Sequence, residues 1–140
     1  MIGVVLVGHG VLAEAALSSL ESVIGHSVPG VVAVGAATDD TLDQLKLRIA
    51  DAVRTVEQGQ GTVILTDMFG DTATNVSIAL ARDARVQVVT GVNLPMLLKV
   101  ISARHVMDLD ALASFVVDYG RDHILRAGPA GTGARGTRSR

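Results

Sequence analysis

Residues 2–10 read IGVVLVGHG. Four adjacent apolar side chains, Val4 to Val7, leave no polar face. A strand with one wet face would alternate. An unbroken run suits a strand covered on both sides, as in a parallel sheet sandwiched between helices. Three later runs have the same character: VVAVG at 31–35, TVILTD at 62–67 and VQVVTGV at 86–92. Helical periodicity fills the gaps. Val11, Leu12, Ala15, Ala16, Ser19, Leu20, Val23 and Ile24 share one face, and Gly25 ends it. Leu42, Leu45, Ile49, Val53 and Val56 repeat the pattern, opened by Thr38 and Asp39 and stopped near Gly59. A third helix is predicted from Thr72 to Asp83. A fourth begins at Leu94 and Pro95 with Asn93 as its cap, and a fifth runs from Asp108 to Leu125. Strands alternating with helices make βαβ units with right-handed crossovers. The predicted fold is α/β: a small doubly wound sheet, mainly parallel, in the order 2-1-3-4, with helices on both faces.

The composition fits one such domain. Of 140 residues, 49% are hydrophobic and 19% charged, enough apolar material for a core and too much for a disordered chain. No apolar stretch reaches the roughly 18 residues of a membrane span. The nearest, LPMLLKVI, is bounded by Lys99 and Arg104. The first ten residues lack a basic leader region and read as a strand, not a signal peptide. A cytoplasmic location without membrane insertion is therefore expected. The chain has no cysteine, which excludes disulfides, thiol catalysis, Fe–S clusters and thiolate-bound zinc. All 14 acidic residues precede position 128 together with nine of the 12 basic ones, so residues 1–127 carry −5. That acidic body, with no tryptophan, one tyrosine and two phenylalanines, argues against nucleic acid as a partner. Residues 1–127 are read as the domain. Residues 128–140, GPAGTGARGTRSR, are read as a disordered Gly/Arg tail.

In a doubly wound sheet the functional crevice lies beyond the carboxyl ends of the strands, where the winding direction reverses. For the order 2-1-3-4 this is between strands 1 and 3. The loop after strand 1 is Gly8-His9-Gly10, and the loop after strand 3 runs from Asp67 to Asn75 as DMFGDTATN. An imidazole and a carboxylate thus end neighbouring strands. Gly8 and Gly10 let the backbone turn sharply, and the backbone N–H groups opening the next helices, the second at Gly70, Asp71 and Thr72, attract a phosphoryl group. Asp67 is placed to hold one ring nitrogen of His9 and leave the other as a nucleophile. Asp71, Thr72 and Asn93 complete the rim. A plainer reading stays open at this point, with His9 a turn residue and Asp67 a helix cap. His26, His105 and His123 lie near helix ends and are read as structural or surface residues. No spacing makes a metal site, and G-x-x-x-x-G-K-[ST] does not occur. No cofactor is expected.

Three segments carry a resemblance. VVLVGHGVLAEAAL at 4–17, VILTDMFGDTATN at 63–75 and VVTGVNLPMLLKV at 88–100 resemble the mannose-type enzyme IIA family of the bacterial phosphoenolpyruvate:sugar phosphotransferase system. The resemblance covers about residues 1–125. It implies a phosphotransferase with a phosphohistidine intermediate: His9 takes a phosphoryl group from phospho-HPr and passes it to a IIB partner for sugar uptake. It further implies that Asp67 supports His9, that Thr72 supplies a hydroxyl, and that Gly91 to Met96 form the GVNLPM loop. Ending after one such domain, the chain would need a separate IIB protein. A purely regulatory use of the same phosphorylation is equally compatible. Homodimers are common in the family, but little after Leu125 resembles the strand that some members exchange. The family's usual G-G-[ST]-P-x-N is here Gly70-Asp71-Thr72-Ala73-Thr74-Asn75, which puts an extra negative charge beside the phosphoryl site. Two rivals share parts of the pattern. A receiver-like signalling domain would use Asp67 as acceptor but needs acidic residues after strand 1. A tetrapyrrole metal chelatase also ends its first strand in Gly-His-Gly.

Overall fold

A computed structural model describes residues 1–82 and 85–129. The elements follow in the order β1 (Gly3–His9), α1 (Leu12–Ile24), β2 (Val31–Ala36), α2 (Leu42–Val56), β3 (Thr62–Thr66), α3 (Thr72–Leu80), β4 (Val86–Thr90), α4 (Leu94–Ala103) and α5 (Leu109–Asp122). The four strands form one parallel sheet in the order β2-β1-β3-β4, as predicted.

The unbroken apolar run of β1 serves two cores. Ile2, Val4 and Leu6 join Val63 and Leu65 against α1, α4 and α5. Val5 and Val7 join Val34 and Ile64 against α2 and α3. All these residues are buried, which is why no polar position interrupts the run. Arg104 is a buried cation at 1% exposure, just past α4. Its guanidinium donates to the carbonyls of Pro29 (2.6 Å) and Gly30 (3.3 Å), and burial lowers its pKa.

The element ends differ from expectation for local reasons. α2 is opened by Thr41, not Thr38 and Asp39. The Thr41 hydroxyl accepts from the Gln44 N–H (3.1 Å) and the Gln44 side chain accepts from the Thr41 N–H (2.9 Å), a reciprocal capping box. The carboxylate of Asp40 instead closes the preceding turn by accepting from the Ala37 N–H at 2.7 Å. α5 stops at Asp122, three residues before Leu125; the His123 ring stacks on Tyr119 and its Nδ1 meets the Tyr119 carbonyl at 2.8 Å. β4 stops at Thr90 because the N–H groups of Gly91 and Val92 both turn inward to the Thr66 carbonyl (3.0 and 3.1 Å). α3 ends at Leu80, and the expected end at Asp83 lies outside the described residues. So do positions 130–140 of the Gly/Arg tail.

The loop bearing His9 is pinned from the side. Gly10 has a positive φ of 55° and donates its N–H to the Ala36 carbonyl at 3.0 Å. Its own carbonyl passes so close to Gly35 that a Cβ there would lie 2.5 Å from the oxygen. Gly35→Ala is therefore expected to force β2 and the His9 loop apart. The expected loss is about 1–3 kcal/mol, the usual range for overpacking, with the His9 and Gly10 amide resonances displaced. Denaturant unfolding and an amide NMR map check this; unchanged stability and unchanged resonances would contradict it.

Candidate active site

The site follows from parallel register. Val7 of β1 stands opposite Thr66 of β3, and the Asp67 N–H continues the ladder to the Val7 carbonyl at 3.2 Å. Two residues past Val7 and one past Thr66, His9 and Asp67 face each other. The Asp67 Oδ2 accepts the His9 backbone N–H at 2.9 Å and lies 2.7 Å from Nδ1 of the ring. Its Oδ1 accepts the Met68 N–H at 2.9 Å. A carboxylate accepts only, so Nδ1 carries the hydrogen and Nε2 is the outer nitrogen. The His9 side chain is 54% exposed and that of Asp67 9%.

Asp71 approaches the other ring nitrogen. Its Oδ1 caps α3 by accepting the Thr74 N–H at 2.8 Å. Its Oδ2 lies 3.1 Å from Nε2 of His9, close enough for an ion pair but without hydrogen-bond alignment. The ring is thus flanked by carboxylates. The hydrogen bond to Asp67 and then its charge raise the His9 pKa above its ordinary 6.5; desolvation opposes them, and the charge of Asp71 adds the smallest upward push. The flanking carboxylates thus favour the protonated ring more than water alone would. For Asp67, burial pushes the pKa up, but the hydrogen bonds from the backbone and ring of His9 outweigh it and hold the carboxyl below 3.8.

The other expected residues divide. Gly70, with φ 88°, and Thr72, the first residue of α3, lie exposed beside Asp71. Gly10 turns the chain beneath the ring. Asn93 is committed elsewhere: its Oδ1 caps α4 through the Met96 N–H (2.9 Å) and its Nδ2 donates to the Gly120 carbonyl (3.0 Å). It holds α4 and α5 together. Of the other histidines, the Nδ1 of His26 meets the Ser27 carbonyl at 2.9 Å, and His105 lines a separate cavity with Gln60 and Arg85. Sequence reasoning missed Thr74. Its hydroxyl donates to the Met68 carbonyl (2.7 Å) and accepts from the buried Thr66 hydroxyl (3.0 Å), tying the loop to β3. The signal was there, since Thr74 stands three residues after the Asp71 cap. Also missed was a collar of exposed apolar side chains: Val11 (74%), Leu12 (50%), Met68 (54%) and Phe69 (72%).

Folding brings donors from His9, Asp67 and Asp71 within 4.8 Å of one another, a clustering that their spacing in the sequence did not show. The trio fits a metal poorly. Asp67 already accepts three N–H groups, which a cation would have to displace.

Comparison with known proteins decides the family. The sequence model of the PTS system fructose IIA component matches residues 3–117. The chain belongs to that family. It is a IIA component of a sugar phosphotransferase system (PTS). The PTS system fructose-specific EIIA component of Bacillus subtilis (strain 168) is 30% identical over 113 residues, covering 80% of this chain and 77% of that one. The phosphotransferase system EIIA of Streptococcus agalactiae superimposes with a TM-score of 0.82 at 28% identity, covering 90% of this chain and 97% of that one. The mannose/sorbose-specific IIA subunit of Enterococcus faecalis shares the fold, with a TM-score of 0.82 at 23% identity over 91% of this chain and 95% of that one. As in the sequence reading, no helix among the described residues is long and apolar enough to cross a membrane.

The two pKa shifts set a pH window for this IIA component. A raised His9 pKa stabilises the fold below 6.5, and this is lost as pH rises through the native value. A lowered Asp67 pKa stabilises it above 3.8, and this is lost as pH falls through the native value. The stability margin of wild type over Asp67→Asn is therefore expected to be largest between pH 3.8 and 6.5 and to shrink above. Thermal unfolding across pH measures it. A margin that grows above pH 6.5 would contradict the pairing.

Proposed function

We propose that this IIA component is a histidine phosphocarrier. His9 Nε2 accepts a phosphoryl group from phospho-HPr and delivers it to a separate IIB protein. The observation that carries the reading is the 2.7 Å contact of Nδ1 with Asp67, which leaves Nε2 outermost on an exposed ring. The Nε2 lone pair attacks phosphorus as the donor's P–N bond breaks, and that electron pair returns to the donor ring. The acceptor ring becomes cationic, and Asp67 across Nδ1–H stabilises the charge that develops, as the aspartate does in a catalytic triad. The N–H groups opening α3 and the Thr72 hydroxyl favour the incoming anion. Positioning and electrostatics supply the catalysis.

The surroundings support a protein donor and a protein acceptor. His9 sits on an open surface, whereas the cavity of about 290 Å³ lined by Gln60, Arg85 and His105 adjoins the amino ends of β3 and β4. The exposed Val11 and Leu12 follow the His9 loop and the exposed Met68 and Phe69 follow Asp67, and exposed apolar patches of this kind mark protein contacts. Two of the similar proteins are named for fructose and for mannose/sorbose. We assign the choice of sugar to the permease that this carrier serves, because its site is built for a phosphoryl group.

Incubation with enzyme I, HPr and labelled phosphoenolpyruvate tests the reading. Wild type is expected to gain an acid-labile label. His9→Ala is expected to gain none and to stay folded, since a half-exposed turn residue carries little of the core. Asp67→Ala is expected to keep the acceptor but slow transfer, by at most the order of 10⁴-fold seen when a triad loses its orienting carboxylate. An acid-stable label, or one mapping to Asp67, would favour the receiver-like reading. A His9→Ala protein labelled at the wild-type rate would sink the mechanism.

A further inference from the structure

Asp71 has a buried oxygen with no hydrogen bond. Its Oδ2 is shielded from solvent, and Nε2 of His9 is its ion-pair partner. A buried acceptor left without a hydrogen bond is costly, and in native structures it asks for an explanation. The carboxylate stands beside the nitrogen to which phosphorus must bond. It is also fastened by its other oxygen to the Thr74 N–H.

We propose that Asp71 sets the phosphoryl-transfer potential of His9: it stabilises the unphosphorylated ring, opposes the phosphorylated one, and couples the exchange to the cap of α3. The inference rests on the phosphocarrier reading above. In the resting state the Asp71 charge favours a proton on Nε2, and that proton leaves to water before the lone pair attacks. Once the N–P bond has formed, the ring proton remains on Nδ1 with Asp67. The phosphoryl dianion then occupies the space facing Asp71. Two like charges a few ångströms apart at a half-wet surface repel by an amount between the water and interior limits. Asp71 must swing away, and because one carboxylate serves both Nε2 and Thr74, the swing loosens the cap. The preceding Gly70, at φ 88°, and the exposed loop from Met68 give it room. Phosphohistidine at this site is therefore held loosely and passed on readily, and the first turn of α3 reports its presence.

Asp71→Asn separates charge from structure, because asparagine caps helices as well as aspartate. The phosphoryl distribution between HPr and the chain is measured at equilibrium. With Asp71→Asn it is expected to move toward the chain by about tenfold, a shift that the loss of one nearby charge can supply. Asp71→Gly, which also removes the cap, is expected to shift it similarly while unfolding at lower temperature. In wild type the Thr74 amide resonance is expected to move on phosphorylation, and in Asp71→Asn to move much less. An unchanged equilibrium in both variants, or a Thr74 amide indifferent to phosphorylation, would overturn the role. If wild type takes no label from phospho-HPr, the carrier reading fails on its own. Phosphoramidate then serves as a small chemical donor, and equal rates of His9 labelling in wild type and Asp71→Asn would still reject the inference.

Discussion

Val7 and Thr66 lie side by side in neighbouring parallel strands, and the carboxyl end of the sheet inherits their register. Backbone hydrogen bonds set the spacing of β1 and β3, so the distance from the His9 ring to the Asp67 carboxylate is set by the ladder before any side chain adjusts. A slip of one residue would turn each side chain to the opposite face and dismantle both cores at once. The two buried layers therefore guard the register, and the register guards the site. Pinning by Gly10 against β2 and by Thr74 against β3 removes the remaining freedom of the two loops.

The site reconciles two demands on one imidazole. A nucleophile needs a free lone pair, while a resting site flanked by two carboxylates favours the cation. The compromise lies in using the two nitrogens differently. Asp67 holds Nδ1–H by a short contact that serves the ring whether it is neutral or protonated. Asp71 meets Nε2 at longer range and without alignment. The first contact is permanent scaffolding. The second depends on the state of the ring.

The fold was legible because each strand is short, apolar throughout and punctuated by glycine, a pattern with few alternatives once helices alternate with it. His9 and Asp67 were legible for a topological reason: in the order β2-β1-β3-β4 the winding reverses between their strands. The charge of Asp71 was also visible, though its contact with Nε2 was not, since that depends on how the loop from Met68 to Asp71 folds back. Asn93 was legible as the cap of α4, whereas its bond to the Gly120 carbonyl was not, since that depends on how α5 packs. The capping box of α2 was present as Thr41-Leu42-Asp43-Gln44 but was masked by the equally plausible Thr38 and Asp39 just before it. Arg104 could not have been foreseen. Its burial depends on two carbonyls, of Pro29 and Gly30, some 75 residues earlier in the chain.

The pairing of His9 with Asp67 spans 58 residues of chain. The two residues meet only after two helices and the intervening strand have wound into place. During synthesis, the emerging amino-terminal segment holds a histidine with no orienting carboxylate. It gains that partner only when β3 and the loop beyond it have left the ribosome and docked. On the phosphocarrier reading, incomplete or misfolded copies draw phosphoryl groups from a donor more slowly, so the long sequence separation works as a check on the integrity of the chain.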